Sequence, residues 1–167
     1  MLSPNEPPFG PDGLIWSEPY DIELDWLDYN GHLNMAYYHV MFDRTVDIAF
    51  DILGLGRAYR SSQQASIFNV ETHVVYRREV SAHDQVRVSF HLIGRDDKRL
   101  HGFQTMVRLG DDQLAATSES LFIHVDMTSR QVSPLPARGI AAADEMIARQ
   151  AGVGMPAMAG RRIAPLN

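Results

Sequence analysis

The sequence predicts an α+β domain in which one long helix is wrapped by a curved antiparallel sheet of about five strands. Three observations carry that prediction. Residues 35–52 are the longest stretch with apolar side chains every three or four positions. Residues 66–126 alternate apolar and polar side chains in runs separated by turn signals. Hairpins alone cannot bury a helix, so the simplest arrangement lays it across the concave face of the sheet.

The elements follow in order. Residues 1–13, MLSPNEPPFGPDG, are rich in Pro and Gly and read as an N-terminal arm. They have neither the basic start nor the apolar stretch of a signal peptide. Tyr20, Ile22 and Leu24 alternate with acids, as in a half-buried strand. Met35, Tyr38, Phe42, Thr45, Ala49 and Ile52 form the helical stripe, and the glycines of Gly54-Leu55-Gly56 stop it. Ser61 to Gln64 read as a polar loop. A strand over 66–80 puts Phe68, Val70, Thr72, Val74 and Tyr76 on one face. Ser81 to Asp84 make a turn, and Val86, Val88, Phe90 and Leu92 mark the next strand. Residues 94–99, GRDDKR, connect it to a strand over 99–109, and a GDD turn leads to the last, 113–126. The strands are thus expected to be joined consecutively by tight turns. Past Pro134 the pattern weakens to a short helix over Ala141–Gln150 and a loosely ordered end. The domain is placed at 14–136, and 137–167 is read as a C-terminal helix and flexible tail.

Composition narrows the function. The 167 residues are 45% hydrophobic, enough for a core. A net charge of −6 argues against a nucleic-acid partner. The absence of cysteine excludes disulfides, thiolate catalysis and cysteine-bound zinc. No apolar run approaches a membrane span, and a cytoplasmic protein without a membrane partner is expected.

The chemistry concentrates in Asp28-Tyr-Asn-Gly-His-Leu-Asn-Met35. Gly31 takes positive φ freely and marks a bend. Asn34 stands where an N-cap belongs, which makes Met35 the first helical residue. The Met35 N–H then lacks a partner within the helix, and the helix dipole adds positive charge there. An oxyanion would be stabilised at that point. Asp28, across the bend, supplies a carboxylate to attack or to activate water. The same residues also suit an ordinary turn and cap.

DYNGHLNMAYY followed by Phe42-Asp43 resembles the signature of hotdog-fold acyl-CoA thioesterases of the 4-hydroxybenzoyl-CoA thioesterase type. The resemblance covers roughly Pro19 to Pro136. It implies a hotdog fold, thioester hydrolysis without a cofactor, and assembly as a homodimer or homotetramer. It maps the catalytic carboxylate onto Asp28 and the oxyanion donor onto the Met35 N–H. Leu27 stands where the family often has threonine, and Met35 replaces its second asparagine. A backbone donor survives that change, whereas an amide that positions water does not. WLDYNGHLNMAYYHVMFDRTVDIAFDILGLG, DKRLH and LFIHVD further resemble the betainyl-CoA thioesterase branch, associated with carnitine breakdown. Dehydratases or hydratases on the same fold, and a non-catalytic acyl-CoA binding module, are the alternatives.

Other residues fall in place around this reading. His32 orders the bend or contacts the thioester oxygen. The remaining histidines lie on separate elements without a ligand motif, so no metal is expected. Asp43, Asp47 and Asp51 recur every four residues as a polar helix face. Asp43 is the position for a helix acid of the kind a related thioesterase type uses. Among the cations, Arg77 and Arg78 are candidates for coenzyme A phosphates. Trp26, Tyr29, Tyr37, Tyr38 and Phe68 are core residues or an aromatic cage for a cationic acyl group, with Asp43 or Glu71 as counter-charge.

Overall fold

A computed structural model describes residues 8–163. Residues 1–7 of the expected arm and 164–167 of the expected tail lie outside it. The helix α1 spans Met35–Ile52. Asn34 caps it from extended backbone, its side-chain oxygen accepting from the Ala36 N–H at 3.0 Å. Gly54, at φ +68°, lies just past its end. Its inner side buries Tyr38, Met41, Phe42, Thr45, Val46, Ala49 and Phe50. Each large side chain so buried contributes roughly 1.5–3 kcal/mol. Met35, expected in this stripe, is instead 63% exposed.

The sheet contains β1 (Ile15–Trp16), β2 (Tyr20–Asp21), β3 (Ala65–Tyr76), β4 (Gln85–Arg95), β5 (Arg99–Arg108), β6 (Gln113–Asp126) and β7 (Gln131–Val132), all pairs antiparallel. The order is β1-β4-β5-β6-β3; β2 also pairs with β4, and β7 with β6. This is the expected α+β hotdog arrangement, with corrections in detail. The first expected strand is shorter: Leu24 belongs to a 3-10 turn, Leu24–Trp26. The 61–64 loop is largely the end of a helix, α2 (Arg57–Gln63), in which the Ser61 hydroxyl donates back to the Arg57 carbonyl; Gln64 follows it at φ +51°.

The larger correction concerns β3. It does not form a hairpin with β4 but pairs with β6 at the opposite edge. The chain from Arg77 to Asp84 therefore crosses over. On the way the Arg77 and Arg78 N–H groups both donate to the Ala115 carbonyl, and the Val80 carbonyl accepts from the Leu33 N–H at 2.7 Å. The crossover is thereby stitched to the bend before α1.

A bulge between Asn69 and Glu71 also interrupts β3. Side chains alternate faces along a strand, and one unpaired residue inverts the alternation beyond it. Ile67 before the bulge and Val74 after it both pack on the core. Phe68 therefore faces away from α1, with the Arg130 guanidinium 5.9 Å from its ring. It does not share a face with Val74 and Tyr76.

The C-terminal helix α3 is longer than expected, Ala137–Gln150. Ala143 and Met146 join the core of Phe50, Phe90 and Phe122. Gln150 is fully buried, accepting from the Leu92 N–H (2.8 Å) and donating to the Phe90 carbonyl (3.2 Å). A side-chain amide thus continues the ladder at the β4 edge.

Candidate active site

The bend is built as a turn around Asp28. Gly31 sits at φ +77°, and the chain closes through Gly31 N–H to the Asp28 carbonyl (3.0 Å) and Asp28 N–H to the His32 carbonyl (2.8 Å). The Asp28 carboxylate accepts from the Asn30 N–H at 2.8 Å and the His32 N–H at 3.4 Å. These donors, Asn30 foremost, hold its pKa below the usual carboxylate value despite an opposing desolvation cost. The group is an anion across the neutral range.

Asn34 is fixed from both sides. Its N–H donates to the Trp26 carbonyl at 2.9 Å, and its carbonyl accepts from Tyr37. Among the described residues the Met35 N–H has no acceptor. It is the orphan donor that a helix start leaves free.

One cavity of about 730 Å³ brings these groups together. Asp28, Tyr29, His32, Asn34 and Met35 line it from the bend, and Arg77 and Arg78 from the crossover. Three of the expected aromatics do not line it. Trp26 and Tyr37 stack on each other behind the bend, with centroids 5.0 Å apart and planes 12° from parallel, and Phe68 is on the far face of β3. Leu33, Tyr38, Tyr76 and Glu79 also line it. Tyr38, one turn beyond Met35, meets the Tyr76 ring edge to face at 5.1 Å. Burial pushes the Tyr38 phenol up to about 12, so it remains protonated. Glu79 closes the wall, its carboxylate 3.4 Å from His32 Nε2. Tyr38 was legible as part of the helical stripe. Glu79 adjoins the two arginines in sequence, but no local pattern placed Tyr76 or Glu79 beside the bend.

Asp43 lines a separate cavity of about 330 Å³, between α1 and the sheet, with Asn69, Thr72, Gln104, Ser118 and Ser120. Glu71 lines neither of these two cavities.

The profile of the thioesterase-like superfamily matches residues 22–150, from before the bend to the end of α3. The chain belongs to this superfamily. It is similar to the betainyl-CoA thioesterase of Pseudomonas aeruginosa, with 30% identity over 139 residues, 83% of this chain and 87% of that protein. It is also 35% identical over 143 residues to the L-carnitine dehydrogenase/betainyl-CoA thioesterase of Ruegeria pomeroyi, covering 85% of this chain but 28% of that longer protein. Among solved structures, a Staphylococcus aureus protein in complex with CoA superposes with a TM-score of 0.85 at 25% identity, over 92% of this chain and 96% of that one. This hotdog-fold superfamily member is a thioester hydrolase. No helix among its described residues is long and apolar enough to cross a membrane.

Proposed function

We propose that this thioesterase hydrolyses a short acyl-CoA of the betainyl type to the free acid and coenzyme A. The observation that carries the reading is the convergence of an anionic carboxylate, Asp28, and an unpaired N–H, Met35, in one cavity at the start of α1. Asp28 either adds to the thioester carbonyl itself or takes a proton from the water that does. The tetrahedral oxyanion that results is met by the Met35 N–H and the helix dipole. Its collapse expels the coenzyme A thiolate; where Asp28 is the nucleophile, water then cleaves the acyl-Asp28 anhydride to the free acid and restores the carboxylate. Asn34 and His32 position the bend, and Arg77 and Arg78 offer charge for the phosphates of the nucleotide. The betainyl-CoA thioesterase name of the Pseudomonas aeruginosa relative supports the acyl group, and the CoA complex of the Staphylococcus aureus protein supports the carrier. A substrate carried on coenzyme A suits a cytoplasmic location.

The assembly is at least a homodimer. Among the described residues β3, 12 residues long, pairs on one side only, with β6, which leaves its other edge without a strand partner. Val70 in that strand and Val40 on α1 are exposed. An edge of that length is a template for a second chain. Light scattering at micromolar concentration should give a dimer or tetramer mass; a monomer mass contradicts this. The activity itself is tested by thiol release from a panel of acyl-CoAs. Release from betainyl-CoA is expected. Binding without release marks a binding module, and double-bond hydration without release marks a hydratase.

A further inference from the structure

Betainyl-CoA places one methylene between the thioester carbonyl and the quaternary nitrogen. Whatever holds the trimethylammonium must therefore stand within a few bonds' reach of the Met35 N–H. This excludes Phe68 of the same chain, on the far face of β3. It excludes Asp43 of the same chain, which lies eight residues along α1 and so about 12 Å from Met35. The cavity as a whole carries no net negative charge, because the carboxylates of Asp28 and Glu79 are matched in number by the guanidiniums of Arg77 and Arg78, so a carboxylate can favour a cation only by standing beside it. What remains is aromatic surface. Tyr29 is 98% exposed at the tip of the bend and Tyr76 is 44% exposed, although both are large rings. Both line the cavity that holds Asp28 and Met35. The buried Tyr38 ring fixes Tyr76 edge to face. A quaternary ammonium cannot donate hydrogen bonds and is held by ring faces and a nearby anion.

We propose that Tyr76, braced by Tyr38 and opposed by Tyr29, is the wall that recognises the quaternary ammonium of the acyl group, with Glu79 as its counter-charge. The inference rests on the betainyl reading above and assigns its specificity to residues outside the bend motif. Tyr76 reaches the site because the bulge at Val70 inverts β3 before it.

The test compares kcat/KM for betainyl-CoA and its uncharged isostere, 3,3-dimethylbutyryl-CoA, in the full-length protein. The wild type is expected to favour betainyl-CoA by about tenfold or more. Tyr76→Leu should remove most of that preference by lowering the betainyl value several-fold more than the isostere value, and Tyr76→Phe, which keeps the ring, should restore it. Glu79→Gln should lower the betainyl value selectively. Tyr76 and Glu79 are both solvent-exposed, so these variants are expected to fold. A wild type with no preference overturns the betainyl reading and this inference together. A preference that survives Tyr76→Leu, or that is lost in Asp43→Asn instead, overturns only the aromatic wall.

Discussion

Asp28→Asn separates the structural work of this side chain from its charge. One carboxylate oxygen accepts the Asn30 and His32 N–H groups that close the bend, and the other is 3.4 Å from the Asn30 side-chain amide. Asparagine keeps an acceptor for the backbone donors and is itself a common turn residue. The bend, the cap and the free Met35 N–H should all persist. The anion is what disappears, and with it both the nucleophile and the base. Thiol release should show kcat lower by roughly 10²-fold or more, with KM little changed. The wild-type pH profile tests the same group independently. Backbone N–H donors, led by Asn30, hold the Asp28 pKa below its ordinary value. The anion therefore persists below the pH at which a free aspartate protonates, and the acid limb of kcat/KM should lie below the ordinary carboxylate range. The corresponding contribution to stability is complete above the unfolded pKa and fades as pH falls through the lower native one. A folded Asp28→Asn variant with near-normal turnover, or an acid limb displaced into the neutral range, would refute the assignment.

Asn34→Ala removes the acceptor for the Ala36 N–H and should cost about 0.5–2 kcal/mol, read as a Tm lower by a few degrees. Gln150→Leu strands the Leu92 N–H in the interior and removes one donor to the Phe90 carbonyl. Urea unfolding should show a loss of about 1–3 kcal/mol or more, and an unchanged midpoint would mean that water reaches this edge. Gly102→Ala would put a Cβ 2.7 Å from the Phe90 ring and 3.1 Å from that of Phe122. Overpacking should destabilise it by about 1–3 kcal/mol, with kcat spared because the site is formed elsewhere.

The bend was legible in the sequence because everything that makes it is local. A glycine that takes positive φ, a capping asparagine and a carboxylate three residues before the glycine act through neighbours in the chain. α1 and the alternation of β4 to β6 were legible for the same reason, since one periodicity fixes each. Strand order was not. The Ser81–Asp84 turn exists, with its own 3.2 Å hydrogen bond from the Asp84 N–H to the Ser81 carbonyl, but a turn does not specify which strands pair. Only the match of β3 to β6 across the sheet decides that. α3 was underestimated because its anchoring depends on Gln150 meeting the β4 edge and on Gly139 lying where a Cβ would come within 2.9 Å of Leu55.

The aromatic side chains were the hardest to assign, for a reason of parity. Phe68 and Tyr76 are an even number of residues apart, so unbroken alternation puts them on one face. Val70 has no partner on β6 and changes that count. Before it, Ile67 is the inward residue; after it, Thr72, Val74 and Tyr76 take the positions opposite Ser120, Ser118 and Ala116, all buried in β6. One unpaired residue thus turns Phe68 outward and brings Tyr76 against Tyr38 beside the start of α1. Had the strand been regular, either the core residues at its start or the aromatic at its end would face the wrong side. The bulge lets β3 serve the core at one end and the candidate site at the other.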